Sequence, residues 1–237
     1  MAQELSLLLI ATISIAFIHT LTGPDHYLPF IVIAKAKKWS LSKTASFTAL
    51  CGIGHVGSSV VLGFIGIALG IAIGKLEFIE DIRGNIISWI FTAFGLMYLI
   101  WGIRQSIRNK PHQHIHFHST GNNHTHEHTH HAEHLHIHEN GDKQNLTPWI
   151  LFTIFVFGPC EPLIPLVMYP AAKNNYNELL LVTIIFSAVT ILTMLSLVLI
   201  ASFGIKLIPM KAMQKYSHAL AGGTIFLCGM SMLFLGL

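Results

Sequence analysis

Six apolar stretches, each long enough to cross a bilayer as a helix, constrain this chain more than any other feature. A crossing needs about 20 apolar residues, and the stretches are 5–34, 44–74, 85–103, 148–171, 178–205 and 218–237. Only 11% of the 237 residues are charged, against about 25% in a soluble domain. The start, Met1-Ala2-Gln3-Glu4, carries no basic leader, so residues 5–34 read as a first membrane helix rather than as an export signal. The class that follows is an all-α integral membrane protein of six transmembrane helices.

Two of these stretches are interrupted in the same way. Gly23-Pro24-Asp25-His26 is closed by Pro29, and Gly158-Pro159-Cys160-Glu161 by Pro162 and Pro165. Proline has no N–H and disfavours helical geometry at the residue before it, so carbonyls near each pair lose their partners. At membrane depth such backbone is tolerated only where protein or a watery cavity satisfies it. The reading is therefore that the first and fourth spans are broken. Asp25 and Glu161 are the two carboxylates placed well inside the apolar runs, where an ionisable group marks a substrate or ion path.

The breaks also recur at a nearly fixed offset. Gly23-Pro24 returns 135 residues later, Pro29 returns at Pro165, and Gly95 and Gly102 return at Gly229 and Gly236. Three spans per copy force the second copy to enter from the opposite side, which makes two inverted three-helix repeats around a shared centre. The expected organisation is a first repeat over 1–103, a histidine-rich loop over 104–147 and a second repeat over 148–237. Eleven lysines and arginines fall in the loops on one side and three on the other. By the positive-inside bias, both termini face outside and the loop faces the cytoplasm of what reads as a bacterial inner membrane. The formal charge of +3 is spread over these loops and gives no basis for nucleic-acid binding.

Metal-binding side chains gather at the breaks. His19, Asp25, His26 and His55 form the first-half set, and Cys160 and Glu161 occupy the matching place in the second half. Imidazole and carboxylate donors suit borderline divalent ions such as nickel, cobalt and zinc. His55 stands among Gly52, Gly54, Gly57, Ser58 and Ser59, small residues that let helices approach closely. The loop adds His112, His114, His116, His118, His124, His126, His128, His130, His131, His134, His136 and His138. Such tracts bind transition metals. Their alternation would fit a strand, but Gly121-Asn122-Asn123 and the scarcity of apolar residues favour a mobile tract that captures or senses metal.

The run His19-Thr-Leu-Thr-Gly-Pro-Asp25-His26, with Gly54-His55 and the histidine-rich loop, resembles the nickel/cobalt exporter family and UreH-like urease-accessory membrane proteins of the LysE-type superfamily. The resemblance implies a divalent transition-metal transporter, acting in efflux or homeostasis and not as an enzyme. The metal would be its substrate rather than a prosthetic group, and an intracellular metallochaperone or urease-maturation factor its partner beside the lipid bilayer. A different relationship is carried by Gly158-Pro159-Cys160-Glu161-Pro162, which resembles half of the membrane thiol–disulfide electron carriers. No cysteine stands at the matching first-half position, so Cys51 would have to serve from another helix. Export of another small solute, such as an anion, is the remaining reading.

Overall fold

The computed structural model describes residues 2–108, 112–116, 124–128, 146–207 and 215–235. Helix α1 (Ala2–Thr22) leads through a single 3₁₀ turn (Pro24–His26) into α2 (Leu28–Ala36). Then come α3 (Leu41–Ala68), α4 (Ile73–Arg108), β1 (His112–His116), β2 (His124–His128), α5 (Leu146–Phe157), α6 (Leu163–Ala172), α7 (Tyr176–Leu207) and α8 (Ser217–Leu235). Five helices among the described residues are long and apolar enough to cross a membrane, over Gln3–Thr22, Leu41–Ala68, Ile73–Ile107, Tyr176–Ile205 and Ser217–Leu235. Large apolar side chains cover the outside, with Ile200 and Phe234 each 72% exposed. A soluble protein would hide such a surface; here it faces lipid. The chain is an integral membrane protein built from helices.

The break expected in the fourth stretch is present: α5 has 12 residues and α6 has 10, roughly 15–18 Å each at 1.5 Å per residue, so neither crosses alone. Two other expectations are corrected. The third stretch begins at Ile73 rather than Asn85, and so carries Glu77, Glu80, Asp81 and Arg83 on its first turns. Glu80 is fully buried, a carboxylate inside the apolar body that was not expected there, whereas Glu161 is exposed. In the loop, β1 and β2 pair antiparallel, with His112 opposite His128, His114 opposite His126 and His116 opposite His124. A two-residue period is the period of a strand, and over these ten residues it prevails over the expected mobile tract. His118, His130, His131, His134, His136, His138 and Gly236 lie outside the described residues.

The helices interlock around the two interruptions. α4 lies along α8, α1 and α3 both pack on α7, α2 packs on α8, and α5 and α6 pack on α3. The α4–α8 contact is close because glycines line it. A methyl group at Gly95 would run into the backbone of Phe226, and one at Gly222 into the backbone of Leu99.

The short helices α2 and α6 end alike. Lys38 and Asn174 each adopt a left-handed conformation, with φ of 52° and 51°. Beyond them Trp39 N donates to Ala34 O over 2.8 Å, and Asn175 N donates to Pro170 O over 3.0 Å. Both are Schellman closures, in which a left-handed residue lets a later amide satisfy an orphan carbonyl. The next helix is capped by Ser40 Oγ, accepting from Lys43 N, and by Asn175 Oδ1, accepting from Glu178 N.

Candidate functional site

The two prolines of the second break free two carbonyls, and the structure shows where each goes. Phe155 O would bond to the amide of residue 159, which is Pro159 and has none. It accepts instead from Gly158 N at 3.2 Å and from His55 Nδ1 at 3.3 Å. Gly158 O would bond to residue 162, which is Pro162; it accepts from Arg83 Nη2 at 3.1 Å. Arg83 Nη2 also donates to Ser59 Oγ at 2.6 Å, and Cys160 N donates to the same oxygen at 3.0 Å. Arg83 lies 2.8 Å from Glu80 Oε2. A fixed arginine of α4 and a serine of α3 thus hold the second break open.

The first break is held by its own residues. Gly23 N donates to His19 O over 3.0 Å, and Gly23 O accepts from His26 N at 3.1 Å. His26 Nδ1 lies 3.2 Å from Gly23 O and 3.2 Å from Asp25 Oδ1. Both are acceptors only, so this nitrogen carries the hydrogen. The same argument applies to His55 Nδ1 against Phe155 O.

These turns bring His19, His26 and His55 together. The ring centroids of His19 and His26 are 4.8 Å apart, those of His26 and His55 5.0 Å, both pairs edge to face. One ring nitrogen from each of the three lies within 4.8 Å of the other two. All three Nε2 atoms are buried without a hydrogen-bond partner. Buried polar atoms are normally paired, so three orphans in one place are a feature of the site. The rings line a cavity of about 530 Å³ that Asp25, Asp81 and Glu161 also line. A neighbouring cavity of about 590 Å³ shares Asp81, Glu161 and Pro162, and adds Glu77 and Glu80.

Of the six residues expected at the core site, three converge. Asp25 stands behind His26 as its hydrogen-bond acceptor, and Glu161 lines the cavity wall. Cys160 turns away: it is fully buried, packed in a cluster with Ala16, Val56, Leu163 and Phe186. Cys51 and Cys228 belong to a different cluster, and all three cysteines are free. The structure therefore does not pair Cys51 with Cys160. Glu80 and Arg83 are neighbours of the site that the sequence did not single out, and Ser59, expected only as a small residue beside His55, accepts from both Arg83 and Cys160 N. The signal was the Glu80–Arg83 spacing of three, which puts both on one helix face.

A family model described as the cytochrome C biogenesis protein transmembrane region matches residues 29–233. The chain belongs to this family. No curated protein and no solved structure matches it. The family assignment overturns the resemblance to nickel/cobalt exporters and UreH-like proteins, and with it the reading of the chain as a metal transporter. The matched range begins at Pro29, after the run from His19 to His26, and takes in Gly158-Pro159-Cys160-Glu161-Pro162; Gly54-His55 and the histidine-rich loop, which also carried the exporter resemblance, lie within it too.

Proposed function

We propose that this chain is the membrane-embedded component of a thiol–disulfide electron-transfer system of the cytochrome c biogenesis class, with Cys160 as its exchange thiol. The observation that carries this reading is the family match across residues 29–233, which takes in a free cysteine set directly after the Gly158-Pro159 break. The three cysteines of the chain offer no pair at this position, so Cys160 acts alone.

A single thiol can relay electrons if its partners supply the rest. The Cys160 thiolate attacks the disulfide of an acceptor protein, forming a mixed disulfide and releasing one acceptor thiolate. A dithiol donor then attacks the Cys160 sulfur, which releases the second acceptor thiolate. The donor's other thiol closes the donor disulfide and frees Cys160. Two electrons and two protons pass from donor to acceptor, and Cys160 is unchanged. Thiolate exchange of this kind depends on access, so the buried thiol must be uncovered by opening of the 158–162 turn.

Two inverted repeats would provide that opening on either side. Support for the repeat comes from the matched endings of α2 and α6 at Lys38 and Asn174, and from packing in which α1 on α7 mirrors α5 on α3. The basic loops support an orientation with both termini outside and the 104–147 loop in the cytoplasm of a bacterial inner membrane.

The test is electron passage across a sealed vesicle. Full-length protein is reconstituted with an impermeant dithiol peptide outside and a disulfide-linked fluorescent peptide trapped within. Reduction of the inner peptide is expected with wild type and with Cys51→Ser/Cys228→Ser, and is lost in Cys160→Ser. Equal reduction with Cys160→Ser, or none with wild type, would sink the reading.

A further inference from the structure

We infer that His19, His26 and His55 form a resident binding site for one borderline divalent transition-metal ion. The inference does not depend on Cys160, which lies outside the three-histidine group.

The hydrogen bonds behind the rings settle which atoms bind. Nδ1–H of His26 is directed at Asp25 and Gly23 O, and Nδ1–H of His55 at Phe155 O. A neutral imidazole protonated at Nδ1 keeps its lone pair on Nε2. These Nε2 atoms, with that of His19, are the ones left buried and unbonded. Histidine ligands characteristically donate their other ring N–H to a carboxylate or backbone carbonyl, which fixes the ring and raises its basicity. Both kinds of acceptor are present here.

Donor chemistry selects the ion. Three imidazoles without a thiolate suit zinc, cobalt, nickel or copper(II), and suit calcium or magnesium poorly. Metal–nitrogen bonds of about 2.1 Å in a tetrahedral site place ligand nitrogens about 3.4 Å apart. One ring nitrogen from each histidine already lies within 4.8 Å of the other two, so binding requires the three rings to draw together. Three protein ligands leave a fourth position, which faces the cavity. The carboxylates of Asp25, Asp81 and Glu161 around that cavity offset the charge of the ion. Asp81 and Glu161 also line the adjoining cavity, which gives the ion a polar route in.

The experiment uses the full chain with the twelve loop histidines replaced by asparagine, purified in detergent and titrated with cobalt(II) alone. One equivalent should bind, with the intense visible absorption of a low-coordinate cobalt–imidazole site. Each of His19→Gln, His26→Gln and His55→Gln should abolish it, and Asp25→Asn should weaken it by about 10–100-fold, as loss of an outer-shell partner does. Cys160→Ser should leave it unchanged. Cobalt that binds the native state must also raise the unfolding temperature of the parent chain, a readout that needs no histidine variant to fold. Absence of both absorption and stabilisation would overturn the inference, as would binding that survives His26→Gln/His55→Gln.

Discussion

Arg83 donates through Nη2 to the carbonyl oxygen of Gly158 over 3.1 Å, and so supplies the bond that the missing amide of Pro162 cannot. The same guanidinium neutralises Glu80, which is fully buried. Its place is therefore set by the second break, and the break by it.

Removing that guanidinium leaves a buried carboxylate unpaired and a buried carbonyl unbonded. Breaking one partner of a buried ion pair costs about 3–5 kcal/mol. Arg83→Gln should therefore lower the unfolding midpoint in detergent markedly. Glu80→Gln/Arg83→Gln should recover part of the loss, because no charge is then stranded. Arg83→Lys should fall between them, since a point charge cannot reproduce the planar fork. A double-mutant cycle by thermal unfolding measures the coupling; strictly additive losses would refute it.

Gly23 is the tightest position at the first break. A β-carbon there would stand 2.5 Å from His26 Nδ1 and 2.9 Å from Asp25 Oδ1, and His26 is only 2% exposed. To admit that carbon, the ring would have to leave its contacts with Asp25 and Gly23 O. Gly23→Ala should displace His26 and abolish cobalt binding, while Gly74→Ala, with open space around it, should not. The titration described above reads both variants.

How far the sequence revealed this arrangement depends on what each residue answers to. Pro24 and Pro159 act through local backbone chemistry, so the ends of α1 at Thr22 and α5 at Phe157 were legible from position alone. The gathering of His19, His26 and His55 was legible in part, because the small residues around His55 permit close approach. The ring orientations were not. His55 is steered by Phe155 O, a contact across 100 positions that no spacing encodes. Glu80 and Arg83 were hidden for a different reason: their charges made the start of α4 resemble a loop, and only their mutual pairing makes burial tolerable. Function was the least legible: the histidine spacing at 19–26 points to metal transport, whereas the family match extends over residues 29–233.

The α4–α8 seam should be intolerant of the smallest added group. A methyl at Gly95 meets the Phe226 backbone, which cannot rotate aside as a side chain could. Overpacking of this kind costs about 1–3 kcal/mol. Gly95→Ala and Gly222→Ala should each lower the unfolding midpoint. Gly57→Ala, on α3 with nothing within 4 Å, should raise it slightly, since glycine inside a helix costs about 0.5–1 kcal/mol relative to alanine. Equal shifts for Gly95→Ala and Gly57→Ala would contradict the close approach of the two helices.

The paired turns offer a test of opposite sign. Lys38 and Asn174 hold φ of 52° and 51°, a region that costs an ordinary L-residue about 1–2 kcal/mol but that asparagine visits more readily. Glycine relieves the strain and gives back about 0.5–1 kcal/mol through its freer unfolded chain. Lys38→Gly should therefore stabilise by up to about 1 kcal/mol, whereas Asn174→Gly should be close to neutral. Lys38→Val and Asn174→Val should both destabilise, because a β-branched side chain is disfavoured at positive φ. Thermal unfolding of the four variants in one detergent decides it: a destabilising Lys38→Gly would show that the lysine side chain, and not the backbone, holds the end of α2.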